Sequence, residues 1–177
     1  MHPPRRDFTA PWGRSVKILT PVAVGIIALL AAGQILAAQL VPTVPKWVFA
    51  LGLVVPVAAL VVTALCAVRG YRVDAVQDAL VILRPGRETA LPLAGLEGAE
   101  VRPDAFRGVY MKAGSAGFFG YLGWFRSRAL GSFRAWVTDP ALSVLLRFPG
   151  RQIVVSPDDP AAFIAALEGL RGRRAPH

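Results

Sequence analysis

Side chains able to act as nucleophile, acid–base pair or metal ligand are scarce in this 177-residue chain, and their placement works against them. There is one cysteine, Cys66, so no intramolecular disulfide and no cysteine zinc cage can form. The two histidines, His2 and His177, lie at the chain ends, where order is hardest to impose. A Ser-His-Asp, Cys-His or histidine–metal site therefore has no stable core to stand on. Asp158 and Asp159 precede Pro160 and an apolar stripe at helical spacing, the setting of a helix cap rather than of acid–base work. Asp74 and Asp78 are the other candidate pair, and both read as turn residues. Gly114-Ser-Ala-Gly117 and Gly120-Tyr-Leu-Gly123 do not combine into a dinucleotide-binding glycine motif, and no Walker lysine follows. No catalytic, cofactor-binding or metal-ligating residue is expected, and no cofactor.

One segment does concentrate unusual chemistry. Gly108 to Phe125 reads GVYMKAGSAGFFGYLGWF, with six aromatics diluted by glycine, and Arg126 and Arg128 follow. Phe118, Phe119, Tyr121, Trp124 and Phe125 can lie in a headgroup boundary while Arg126 and Arg128 meet lipid phosphates. These seven residues are the candidates for membrane or partner contact. The same aromatics also suit a glycine-rich strand and turn packed into a barrel, which is the reading given most weight. A small-molecule groove is the third.

The elements that position this segment begin with two apolar runs. The hydrophobic share is 54% and the mean hydropathy +0.49, both high for a soluble globule. Most of that excess lies in Ile18–Leu40 and Trp47–Val68, neither of which carries a charge. Each is long enough, as a helix, to cross a hydrocarbon core of roughly 30 Å. The connector VPTVPK contains two prolines and favours a tight hairpin. Arg5, Arg6, Arg14 and Lys17 precede the first run, Arg69 and Arg72 follow the second, and Lys46 alone lies between. The positive-inside rule then puts both termini in the cytoplasm of a two-span protein of the cell membrane. Trp47 suits one interface, and Trp12 and Tyr71 the other. A cleaved signal peptide is the competing idea, but the first apolar run is too long and Leu36-Ala37-Ala38 is a poor cleavage site. Gln34, with Gly33 and Ala37, would permit a helix–helix hydrogen bond or a homodimer through the spans, although small residues are simply common here. No ionisable residue lies in either run, so no transport path is expected.

Net charge is +9, from 20 Lys/Arg against 11 Asp/Glu, which invites a nucleic-acid reading. Much of it flanks the apolar runs or sits in the tail at Arg171, Arg173 and Arg174. A nucleic-acid binder gathers charge on its folded face, so no nucleic-acid partner is expected.

After Tyr71 the period changes. Tyr71–Asp74, Ala79–Leu83, Arg87–Leu93, Gly98–Arg102, Phe133–Val137, Leu142–Arg147 and Arg151–Ser156 read as short strands separated by turn signals such as Arg84-Pro-Gly-Arg87. Phe163, Ile164, Leu167 and Leu170 then mark one amphipathic helix. The spacing predicts a small antiparallel barrel or sandwich closed by a C-terminal helix.

This order, with Tyr71-Arg-Val-Asp-Ala-Val-Gln-Asp-Ala-Leu-Val-Ile82, Leu91-Pro-Leu-Ala-Gly-Leu-Glu97, Gly117-Phe-Phe-Gly-Tyr-Leu-Gly123 and Val154-Val-Ser-Pro-Asp-Asp-Pro-Ala-Ala-Phe163, resembles bacterial PH-domain (pleckstrin-homology-like) membrane proteins. The resemblance implies two sheets plugged at one corner by the helix. Phosphoinositide-binding relatives use a Lys/Arg cluster after the first strand, whereas Ala75-Val-Gln-Asp78 has no positive charge, so that activity does not carry over. The expected organisation is a basic cytoplasmic segment (1–17), a transmembrane hairpin (18–40 and 47–68), a PH-like domain (69–170) and a basic tail (171–177). The expected role is non-enzymatic: scaffolding or recruiting a protein or lipid partner at the inner leaflet. A lipid-directed enzyme or transporter accessory subunit, and a basic nucleic-acid-binding regulator, are the alternatives.

Overall fold

The structure, a computed structural model, describes residues 5–41 and 43–172. His2, His177, Pro42 of the connector and positions 173–177 of the basic tail lie outside the described residues.

Two long helices, α1 (Arg14–Leu40) and α2 (Lys46–Cys66), follow from the uncharged runs and pack on each other. α2 begins directly after Pro45, a residue suited to a helix start because its missing N–H would be unpaired there anyway. Within the most apolar 18-residue stretch of each helix, 6% and 0% of the residues are buried, so neither is the core helix of a globule. Both are long and apolar enough to cross a membrane. Gln34 lies over Gly52, where an added Cβ would sit 2.9 Å from its amide nitrogen, so it faces the neighbouring helix within the hairpin.

The remaining chain forms two sheets. The first orders β1 (Arg5–Thr9), β2 (Gly70–Asp74), β3 (Ala79–Arg84) and β4 (Arg87–Pro92) as an antiparallel meander. The second contains β5 (Gly98–Val101), β6 (Tyr110–Ala116), β7 (Tyr121–Ser127), β8 (Gly131–Val137), β9 (Val144–Phe148) and β10 (Arg151–Val155), in the order β5-β9-β10-β8-β7-β6. Helix α3 (Pro160–Gly172) ends the described chain.

Three features differ from the expected layout. The stretch read as a basic lead contains a strand: β1 pairs with β2 from Arg5↔Asp74 to Thr9↔Gly70, and Ala10 extends the ladder to the Arg69 carbonyl. Charge reinforces that register, since Arg72 Nε donates to Asp7 at 2.7 Å and Arg5 lies 3.5 Å from Asp74. The helical pair is therefore an insertion between two adjacent strands of one sheet. Secondly, the second sheet is not purely antiparallel. Asp139 accepts the Ala141 N–H (3.0 Å) and caps a single turn at Pro140–Leu142, which carries the chain across so that β10 returns parallel to β8. Thirdly, the segment Gly108–Phe125, read as one glycine-rich strand and turn, lies largely in two paired strands, β6 and β7.

The main core lies between the sheets and α3, and includes Tyr71, Leu80, Ile82, Trp136, Ile153, Phe163 and Leu167. Asp159 accepts the Ala162 N–H (2.9 Å) as the expected cap of α3, and Asp158 accepts from Thr9 Oγ1 (2.7 Å), tying the helix start to β1. A second cluster covers another part of the six-stranded sheet, with Phe125, Phe133, Leu145 and Val154 beneath Ala105 and Phe106.

Candidate functional site

The glycine/aromatic segment meets the helical pair, and this junction is where the fold departs most from a plain barrel. β6 and β7 pair through Gly114↔Gly123, residues held at φ +129° and +126°. A Cβ at Gly123 would lie 2.2 Å from the Ala113 carbonyl oxygen, and one at Gly114 1.9 Å from that of Leu122. The close approach of the two backbones thus requires glycine on both strands. At the tip, Gly117 N–H donates to the Gly120 carbonyl (3.1 Å), and Phe119 adopts φ +55°, a conformation that costs an aromatic residue about 1–3 kcal/mol. Two contacts offset it: the Phe119 N–H donates to Thr20 Oγ1 of α1 (3.2 Å), and its ring meets Trp12 edge-on at 6.0 Å.

The start of α1 is docked as well. Val16 and Thr20 are buried against the domain, and the Gly13 N–H donates to the Thr138 carbonyl (3.0 Å). The end of α2 leads into Tyr71, whose hydroxyl donates to the Trp136 carbonyl and accepts the Ser156 N–H (3.0 Å). Burial pushes this phenol up to about 12, with the Ser156 contacts opposing it. Tyr71 is fully enclosed and is no interfacial anchor, contrary to its reading beside Trp12; Trp12 is 40% exposed.

The seven candidate contact residues divide by strand geometry. Alternation along β7 sends Tyr121 and Phe125 to one face, where both pack with Phe106 and where Phe125 also stacks on Phe133. Phe125 has no exposed surface and so meets no membrane or partner, which corrects its place among the candidates. Tyr121 is half-buried there. Trp124 faces the opposite way beside Arg134 and is exposed, as are Arg126 and Arg128. Phe118 is exposed at the tip and lines a groove between the helices; Phe119 is half-buried against Trp12. The sequence reading missed Phe106, Arg84 and Arg134. Phe106 stands alone in a turn segment, and the two arginines lie in strands fifty positions apart, so no local pattern links them.

The carboxylates hold structural posts. Asp74 accepts the N–H groups of Val76 (2.8 Å) and Gln77 (3.2 Å), closing the β2–β3 turn. The Val76 bond is the largest of the contacts that hold its carboxyl below the usual range, and Arg5 and Arg72 add to it. Asp78 sits in the same turn at φ +52°.

A family model described as bacterial PH domain matches residues 70–171. No curated protein and no solved structure matches the chain.

Proposed function

The chain belongs to the bacterial PH domain family, and from that premise we propose that it is an integral membrane protein whose PH-like domain works as a binding module at the cytoplasmic face. PH domains are typically binding modules rather than catalysts, and Asp74 and Asp159, engaged as turn and helix caps, suit that role. The helices α1 and α2 form the membrane hairpin, with both chain ends on the cytoplasmic side.

The observation that carries this reading is the pairing of β1 with β2. The strand before α1 and the strand after α2 are neighbours in one sheet, so both ends of the hairpin must leave from one body on one side of the bilayer. The sign of that side comes from Arg14, Lys17 and Arg69, which flank the helix ends. Arg5 and Arg72, being paired with carboxylates, contribute less. Trp124, Arg126, Arg128 and Phe118 supply contact with lipid or a partner, and the exposed edge strand β6, with Tyr110 and Met111, offers further surface to a protein partner. Alkaline phosphatase fused after His177 is expected to stay inactive in cells, and an active fusion would overturn the topology.

A further inference from the structure

Two cavities adjoin along α2 where it enters the domain, and their linings differ in kind. The larger, about 310 Å³, is bounded by Thr63 and Cys66 of α2, Arg84 of β3, Ser115 of β6, and Arg134 and Trp136 of β8. The smaller, about 210 Å³, lies between Ala23 and Ile27 of α1, Pro56 and Leu60 of α2, and Phe118 of the hairpin tip. Thr63 lines both. Cys66 is at the domain end of α2 and Pro56 about three turns away. A basic chamber beside the domain therefore continues into an apolar groove running out along the helices.

The chamber holds two guanidinium groups, and neither has a carboxylate partner among the described residues. Arg84 donates through one terminal nitrogen to Thr89 Oγ1, while its Nε is buried with no acceptor. A buried N–H of a cation left unpaired is costly and is normally satisfied by something. Arg134 lies over the Trp136 ring at 4.3 Å and within 5.7 Å of Trp124, which fixes the plane of its fork. Burial and the nearby charge of Arg84 both push the Arg134 guanidinium below its ordinary value. Both effects disfavour the charged form of Arg134, and an anion standing beside it would offset them. Planar forks of this kind match the oxygens of a phosphate group.

We propose that this site takes one anionic phospholipid, its phosphate held by Arg84 and Arg134 and an acyl chain laid in the groove beside Phe118. The inference rests on the membrane reading above and names a ligand for it. A soluble phosphate ester satisfies the arginines but leaves the groove empty, which is why the lipid is preferred. The chamber is lined by α2, β3, β6, β7 and β8 and not by the β2–β3 turn at Ala75–Asp78, which carries no positive charge.

Cys66, the chain's single cysteine, lines the chamber, so its alkylation rate reports occupancy. The full chain in maltoside micelles is alkylated with a small maleimide in the presence of phosphatidylglycerol, phosphatidylcholine or inorganic phosphate. Phosphatidylglycerol is expected to slow alkylation, and the other two to leave it unchanged. In Arg84→Gln and Arg134→Gln the phosphatidylglycerol needed for half protection rises about tenfold each, the factor equivalent to ~1.4 kcal/mol of charge-assisted binding. Arg151→Gln, whose arginine stacks on Phe148 away from the chamber, should match the parent protein. Equal protection by both lipids, no protection by either, or protection that survives the double arginine variant would overturn the proposal. Inorganic phosphate protecting as well as phosphatidylglycerol would replace the lipid by a soluble phosphoester. The headgroup comparison needs only the parent protein, so a variant that fails to fold does not remove the test. Micelles have no sidedness, so failure here is separate from failure of the topology.

Discussion

Tyr71 holds the junction between the helical pair and the sheet domain at the scale of single atoms. Its hydroxyl ties β2 to the end of β8 and to Ser156 just after β10, and its ring packs on Phe163 of α3 at 6.2 Å. Tyr71→Phe keeps the ring but leaves the buried Ser156 N–H and Trp136 carbonyl short of a partner, at an expected cost of about 1–3 kcal/mol in thermal or denaturant unfolding. The same hydroxyl makes stability sensitive to alkali. The folded phenol is raised to about 12 while the unfolded one titrates near 10, so its contribution is complete below about pH 10 and is lost as the pH rises towards 12. That loss is about 2–3 kcal/mol and should be absent in Tyr71→Phe, compared by unfolding at pH 9 and 11.5. Nothing in the sequence around Tyr71 marks it as buried. An aromatic beside Arg69 and Arg72 at the end of an apolar run has the composition of an interfacial anchor, and only the pairing of β2 between β1 and β3 turns it inward.

At the scale of elements, the β6–β7 hairpin and α1 hold one another in place. Gly123→Ala forces a Cβ against the Ala113 carbonyl in a backbone region that disfavours any side chain, and is expected to cost about 1–3 kcal/mol or to open the hairpin. Gly98→Ala, at ordinary φ with nothing within 4 Å, should stay within about 0.5 kcal/mol of the parent. Thr20→Val removes the oxygen that accepts from Phe119, and should speed hydrogen exchange at the Phe119 amide while α1 itself remains formed. Periodicity made most elements legible: both long helices, α3 with its Asp159 cap, and the β2–β3–β4 meander follow from run length, turn residues and helical spacing. Two things were not legible. A five-residue strand, Arg5–Thr9, looks like basic flank because its partner lies more than sixty positions away, across the helical insertion. The parallel return of β10 beside β8 depends on which strands pair, which local sequence does not encode. Among the candidate contact residues, type and spacing could not sort Phe125, fully buried, from Trp124, exposed one position earlier.

At the scale of the whole molecule, the helical pair interrupts the sheet domain rather than preceding it. The domain's first sheet is completed by β1, which lies outside the residues that match the family model. A soluble chain starting at Gly70 therefore lacks an edge strand and the Thr9–Asp158 link, and is expected to aggregate. Joining Arg5–Thr9 to Gly70–Gly172 through a short Gly/Ser turn should restore a folded, cooperative unit, because Thr9 and Gly70 are already paired neighbours. Equal behaviour of the two chains in solubility and thermal unfolding would contradict that assembly. The central claim, a helical hairpin with both ends in one cytoplasmic domain, is tested most directly by sided labelling. In a Cys66→Ala background, Thr43→Cys in the connector and Gln77→Cys in the β2–β3 turn are exposed to a membrane-impermeant maleimide in spheroplasts and in inverted vesicles. The expected result is labelling of the connector from outside and of the turn only in inverted vesicles. Labelling of the turn in intact spheroplasts, or of both positions from the same side, would contradict it.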